Sequence, residues 1–129
     1  MDRKYKYFTR EEYTKGRDKD YPLSADQENN MHDLLTKADK LREHWSKPLS
    51  VSSGYRDSDT NKRVGGSKRS SHLLCMAIDF FDKDGALAKY CLDNLSILEE
   101  LGLYMEDPKY TKGWVHLQTR ATSQRVFIP

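Results

Sequence analysis

Two kinds of hydrophobic periodicity run along this chain. Met31, Leu34, Leu35, Ala38, Leu41 and Trp45 recur at helical spacing and predict a long amphipathic helix with one core-facing stripe. Ser24-Ala25-Asp26-Gln27 opens it as a capping box, in which a hydroxyl and an amide side chain satisfy backbone groups at the first turn. Thr9-Arg10-Glu11-Glu12 reads the same way and predicts a short helix that Gly16 would end. A third helix is read from about Gly85 to Leu101, where Leu87, Cys91, Leu92, Leu95, Leu98 and Leu101 form an apolar band and Gly102 stops it.

Alternation marks the strands. In Met76-Ala77-Ile78-Asp79-Phe80, the residues Met76, Ile78 and Phe80 share one face and Asp79 takes the other. In Gly113-Trp114-Val115-His116-Leu117-Gln118, Val115 and Leu117 oppose Trp114, His116 and Gln118. A third run, Leu49 to Arg56, separates Leu49 and Val51 from Ser50, Ser52 and, if the strand continues through Gly54, Arg56. The segment Arg125-Val126-Phe127-Ile128 predicts an edge strand, and Leu103-Tyr104 leads into a loop carrying Glu106 and Asp107. The expected fold is α/β in the α+β sense: a small central, mostly antiparallel sheet with helices on one face and a polar groove on the other. The stretch from Asp57 to Ser71 is expected to be a long loop, of a length that in compact domains tends to be functional.

If the apolar faces pack on helices, the polar faces converge on Arg56, Asp79 and His116, with His72 reaching in from the loop before its strand. Two imidazoles and one carboxylate suit a catalytic metal site, because three protein ligands leave a position open for water. This residue set points to a metallohydrolase, although the ligand types alone do not select zinc over another metal. His32 and His44, on or beside the long helix, are read as surface or boundary residues.

Composition narrows the classes. The 129 residues carry one-third charged side chains and a formal net charge of +2, too small to argue for nucleic-acid binding. A single domain spanning residues 1–129 is expected, with no internal repeat or linker. No apolar stretch is long enough to cross a membrane, and Met1 to Lys6 leads into polar sequence rather than a signal-peptide core, so synthesis in the cytoplasm is expected. Lys62-Arg63 and Lys68-Arg69 flank Gly65-Gly66 without the residue order of a phosphate-binding loop and read as a solvated loop. Cys75 and Cys91 lack metal-knuckle spacing and are expected to be buried free thiols.

Ser53-Gly54-Tyr55-Arg56, Asn61, Val64-Gly65-Gly66, Ser70-x-His72, Ala77-x-Asp79 and Trp114-Val115-His116 together resemble the zinc D-alanyl-D-alanine carboxypeptidase and endolysin family, especially its small phage and bacterial single-domain members. The likeness runs in order from about Thr9 to Arg120. It implies zinc held by His72, Asp79 and His116, and Arg56 meeting a carboxylate or carbonyl of a peptidoglycan stem peptide, a role suited to a planar guanidinium fork. It also implies that Ser70 orients the loop or contacts substrate and that Asn61 with Gly65-Gly66 shapes the turn leading to it. A monomer is expected, with no nucleic-acid or membrane partner, acting at the cell wall after holin-type release or virion delivery. Tyr55 and Trp114 are candidates to line the groove.

The chain departs from the family pattern at informative positions. Cys75 stands where Gly is common in His-x-x-Gly, and Gln118 stands where an acidic residue is frequent. Many relatives carry Glu three before the last histidine or His two before it, where this chain has Gly113 and Trp114. The nearest upstream carboxylates are Glu106 and Asp107; Glu106 is the favoured general base and Asp107 the turn former. The competing expectation is a structural or wall-binding virion module that keeps the fold without turnover.

Overall fold

A computed structural model describes residues 4–129, so part of the polar start at Met1 to Lys6 lies outside the described residues. Twelve segments follow one another: helix α1 (Arg10–Thr14), helix α2 (Ala25–Trp45), strand β1 (Val51–Ser53), helix α3 (Ser58–Arg63), a 3-10 turn (Ser71–Leu74), strand β2 (Ala77–Phe81), helices α4 (Ala86–Asp93) and α5 (Leu95–Leu101), strand β3 (Tyr104–Glu106), a second 3-10 turn (Pro108–Tyr110), and strands β4 (Trp114–Gln118) and β5 (Val126–Phe127). The strands form one sheet in the order β1-β2-β4-β3-β5, antiparallel except for the β3–β5 pair. The protein is therefore a mixed α/β fold around a mostly antiparallel sheet.

Both capping boxes are present, from Thr9 with Glu12 and from Ser24 with Gln27. Met31, Leu34, Leu35, Ala38 and Leu41 of α2 are buried in the same core as Ile78, Phe80, Met105, Val115 and Leu117 of the sheet. Burying one such side chain contributes roughly 1.5–3 kcal/mol. This apolar face fixes the other one: because alternate side chains oppose each other, Asp79, His116 and Gln118 must emerge on the side away from the core.

Four local expectations need correction. The third helix is two helices, broken at Asn94, whose side-chain amide donates to the Tyr90 carbonyl at 2.8 Å while its backbone leaves the helical region. This competition between an Asn side chain and the backbone turns the band. Leu87, Cys91, Leu98 and Leu101 are buried while Leu92 and Leu95 are exposed.

The strand read from Leu49 to Arg56 is regular only over Val51–Ser53, and its register slips there: Val51 pairs with Phe80 but Ser53 pairs with Asp79. A bulge of this kind turns two nearby residues to opposite faces that plain alternation would put together. Ser53 consequently joins the polar face. The segment from Asp57 to Ser71 is not a bare loop, since Asp57 accepts from the Thr60 amide at 3.0 Å and starts α3. Finally, Glu106 ends strand β3 and does not sit in a loop.

Candidate metal centre

The site grows from adjacent strands. Asp79 on β2 is paired with His116 on β4, and carrying the β3–β4 register one residue beyond Met105–Leu117 brings Glu106 alongside His116. Ser53, Asp79, His116 and Glu106 thus form one row across the sheet. His72 enters from above this row on the 3-10 turn, where its backbone amide donates to Ser70 Oγ at 3.2 Å.

His72, Asp79 and His116 are all buried, and one ligand-type atom from each lies within 4.8 Å of the others. His72 Nδ1 stands 2.7 Å from the Gly54 carbonyl oxygen, so it must carry the proton and donate. Nε2 then turns a bare lone pair toward Asp79 Oδ2 at 3.2 Å. The other side of the carboxylate faces His116 Nδ1 at 2.8 Å, while His116 Nε2 faces Gln118 Oε1 at 2.8 Å. The Gln118 amide is oriented by its nitrogen, which donates to the Arg120 carbonyl at 2.9 Å. A neutral His116 has one ring proton for these two acceptors.

With His116 neutral the cluster holds more lone pairs than protons, and either a second proton on His116 or a metal cation among the three side chains resolves the mismatch. Two imidazoles with outward-facing acceptors on their far nitrogens, plus one carboxylate, match the donor set and outer hydrogen bonding of zinc sites. The residues fit such an ion.

The electrostatics follow from burial and from the single carboxylate. Burial keeps His72 below the usual imidazole range, outweighing the hydrogen bond and charge of Asp79. For His116 burial also opposes protonation, but the Asp79 hydrogen bond and charge, the Gln118 bond and the Glu106 charge together raise it. Burial would lift Asp79, yet the hydrogen bond from His116 and the neighbouring imidazole of His72 hold it at about 2. Glu106, half-buried, is pushed up by burial and by the Asp79 charge, against the pull of His116.

Arg56 lies beyond β1, not on it, and is held from three sides. Nε donates to Ser53 Oγ at 3.2 Å, Nη1 to Asn61 Oδ1 at 3.4 Å, and Nη2 lies 3.6 Å from Asp79 Oδ2. Gly66 permits this arrangement, because a Cβ there would stand 2.1 Å from Asn61 Oδ1 and 3.2 Å from Arg56 Nη1. Asn61 also donates to the Ser67 carbonyl at 2.8 Å, which closes the turn before His72. Arg56, Asp79, Ser52, Phe81, Gly113 and Trp114 line an open groove of about 330 Å³.

The sequence set is thus assembled in space: His72, Asp79 and His116 in one cluster, with Arg56 and Glu106 on either side. Tyr55 is not in the groove. Its ring is buried in the core and its hydroxyl donates to the Tyr21 carbonyl at 3.2 Å. Asp107 caps the 3-10 turn that follows it, its carboxylate accepting from the Lys109 amide at 3.0 Å. Gln118, Ser53 and the Gly54 carbonyl were not legible as site elements. Alternation put Gln118 on the face of His116, but its contact with that ring depends on the amide being turned by Arg120.

A mostly antiparallel sheet presenting a buried His-Asp-His cluster, with an arginine beside it, defines a candidate metallohydrolase. The model of the family Peptidase M15 matches residues 6–118. The chain belongs to this family of zinc D-Ala-D-Ala carboxypeptidase-like metallopeptidases. No curated protein matches it.

Proposed function

We propose that the protein is a zinc peptidase that hydrolyses a peptide bond in bacterial peptidoglycan, as a carboxypeptidase or as an endolysin-type endopeptidase. The observation that carries this reading is the lone-pair-rich cluster of His72, Asp79 and His116, set in a fold of the M15 family. His72, Asp79 and His116 are the proposed ligands. When bound, zinc supplies a Lewis acid that polarises a carbonyl and makes water acidic.

The other roles belong to side chains around the cluster. Arg56 is proposed to hold a carboxylate or carbonyl of the stem peptide, with its guanidinium pre-set by Ser53 and Asn61 so that little freedom is lost on binding. Glu106 is proposed to accept the proton of the attacking water on its carboxylate. Its place in the row beside His116, and the burial that raises its proton affinity, both suit a proton acceptor. Gly113 is an exposed backbone position and Trp114 a groove wall, so neither supplies this function.

No helix among the described residues is long and apolar enough to cross a membrane. Under this reading a monomer reaches the wall through holin-type release or in a virion. The test is a digest of purified peptidoglycan with product masses, run with and without chelator. New amine ends that disappear with chelator are expected, and their masses name the bond. Intact muropeptides from zinc-loaded protein would reject the enzyme and favour a wall-binding module, the reading that the residues at Gly113 and Trp114 support.

A further inference from the structure

The tail of the chain, residues 119–129, follows the segment matched by the family model and folds back onto the site. Arg125 anchors it: the guanidinium lies 4.1 Å from the Tyr104 ring centroid and donates to the Leu103 carbonyl at 3.0 Å. The Met105 amide donates to the Arg125 carbonyl at 2.9 Å and the Asp107 amide to the Phe127 carbonyl at 2.8 Å, so β5 is zipped along β3. Phe127 is thereby registered opposite Glu106. Its ring meets the His116 ring edge-on, with centroids 5.9 Å apart.

Beside this ring a cavity of about 460 Å³ opens, lined by Thr122, Ser123, Gln124, Phe127 and Ile128. Ile128 is 70% exposed, an apolar side chain left in water at the cavity rim. The strand order places this cavity at the β5 edge of the sheet, whereas the Arg56 groove, which Asp79 lines, lies toward the β1 edge, with His116 between them. An extended peptide crossing the polar face from one edge to the other would meet Arg56, then the cluster, then the tail.

We propose that the tail is a substrate-binding element. On the peptidase reading above, its cavity receives the part of the peptide on the opposite side of the scissile bond from the group held by Arg56. Phe127 is the specificity-determining residue. The lining carries no charged side chain, so it fits a small aliphatic side chain against Phe127 and Ile128, with peptide amides facing the hydroxyls and carboxamide of Thr122, Ser123 and Gln124.

The experiment uses the zinc-loaded, full-length Glu106→Gln protein, isotopically labelled, titrated with a soluble disaccharide-pentapeptide muropeptide and followed by NMR. Amide shifts are expected at Ser123, Gln124 and Phe127 as well as around Arg56. Adding Phe127→Ala should weaken binding about tenfold, the worth of one well-packed aromatic contact. Ile128→Ser, at a position where the fold has little at stake, should weaken it several-fold even if Phe127→Ala loosens β5. Shifts confined to the Arg56 side, or unchanged affinity in both variants, would overturn the tail proposal and leave the peptidase reading standing. A muropeptide that binds nowhere on the protein would overturn both.

Discussion

His72 Nδ1 lies 2.7 Å from the carbonyl oxygen of Gly54, and this one contact decides which face of the imidazole is available for chemistry. The carbonyl has no proton to give, so the ring proton sits on Nδ1 and Nε2 is left bare toward Asp79. Gly54 can approach this closely because its missing side chain admits α1, where a Cβ would stand 2.1 Å from the Tyr13 carbonyl oxygen. The end of β1 is thus clamped between the first helix and the first imidazole.

Metal binding should depend on the ligands strongly and on Gln118 by degree. Asp79→Ala and His116→Ala should each abolish stoichiometric zinc in metal analysis. Gln118→Leu removes the acceptor that orients the His116 ring and should weaken zinc affinity by roughly 10–100-fold in a chelator competition. Full zinc content in both alanine variants would reject the ligand assignment.

Glu106 and Asp107 should separate cleanly. Glu106→Gln keeps size and hydrogen bonding but cannot take the proton, so kcat should fall by about two orders of magnitude or more. Zinc content and Tm should stay near those of the unaltered protein. Asp107→Asn, which touches only a turn, should retain most activity. Near-native rates in both would move the base elsewhere in the groove.

Arg56→Lys should keep the fold and the metal but lose most activity, because an ammonium cannot reproduce a two-pronged contact and cannot span Ser53 and Asn61 at once. Steady-state kinetics on the cleaved muropeptide checks this, and full activity in the lysine variant would make Arg56 a structural residue.

Cys75 occupies a backbone position that favours glycine. It sits at φ 58°, ψ 34° after the His72 turn, a left-handed conformation that costs a non-glycine residue roughly 1–2 kcal/mol. It is also fully buried. Cys75→Ala loses the sulfur packing and keeps the strain, whereas Cys75→Gly loses the packing and relieves it. Thermal unfolding should therefore rank glycine above alanine here, the reverse of the order in a helix.

The metal-free protein should weaken in acid through Asp79. Its folded-state value of about 2 lies below its unfolded value of 3.8, so its contribution is present above the unfolded value and is lost as pH falls through the folded one. The shift corresponds to about 2 kcal/mol, expressed between roughly pH 4 and pH 2. Chemical denaturation of the metal-free protein should show this loss, and Asp79→Asn should flatten it. An unchanged slope in the asparagine variant would assign the acid sensitivity to other groups.

Much of this molecule was settled by local pattern. Two capping boxes, the α2 stripe and the alternation around Asp79 and His116 each depend on side chains a few residues apart, so the sequence determined those elements and the face on which the ligands emerge. Tertiary structure decided what pattern does not encode. Regular alternation would send Ser53 toward the core, and only pairing with β2 introduces the slip that turns it to Arg56. Glu106 reads as a loop residue until β4 and β5 flank it and align it with His116 and Phe127. Proton placement on His72 and His116 depends on Gly54, Gln118 and Arg120, which the fold brings up against those rings. A hydrogen bond between distant segments is fixed by strand register and loop closure, and both are properties of the whole packed chain.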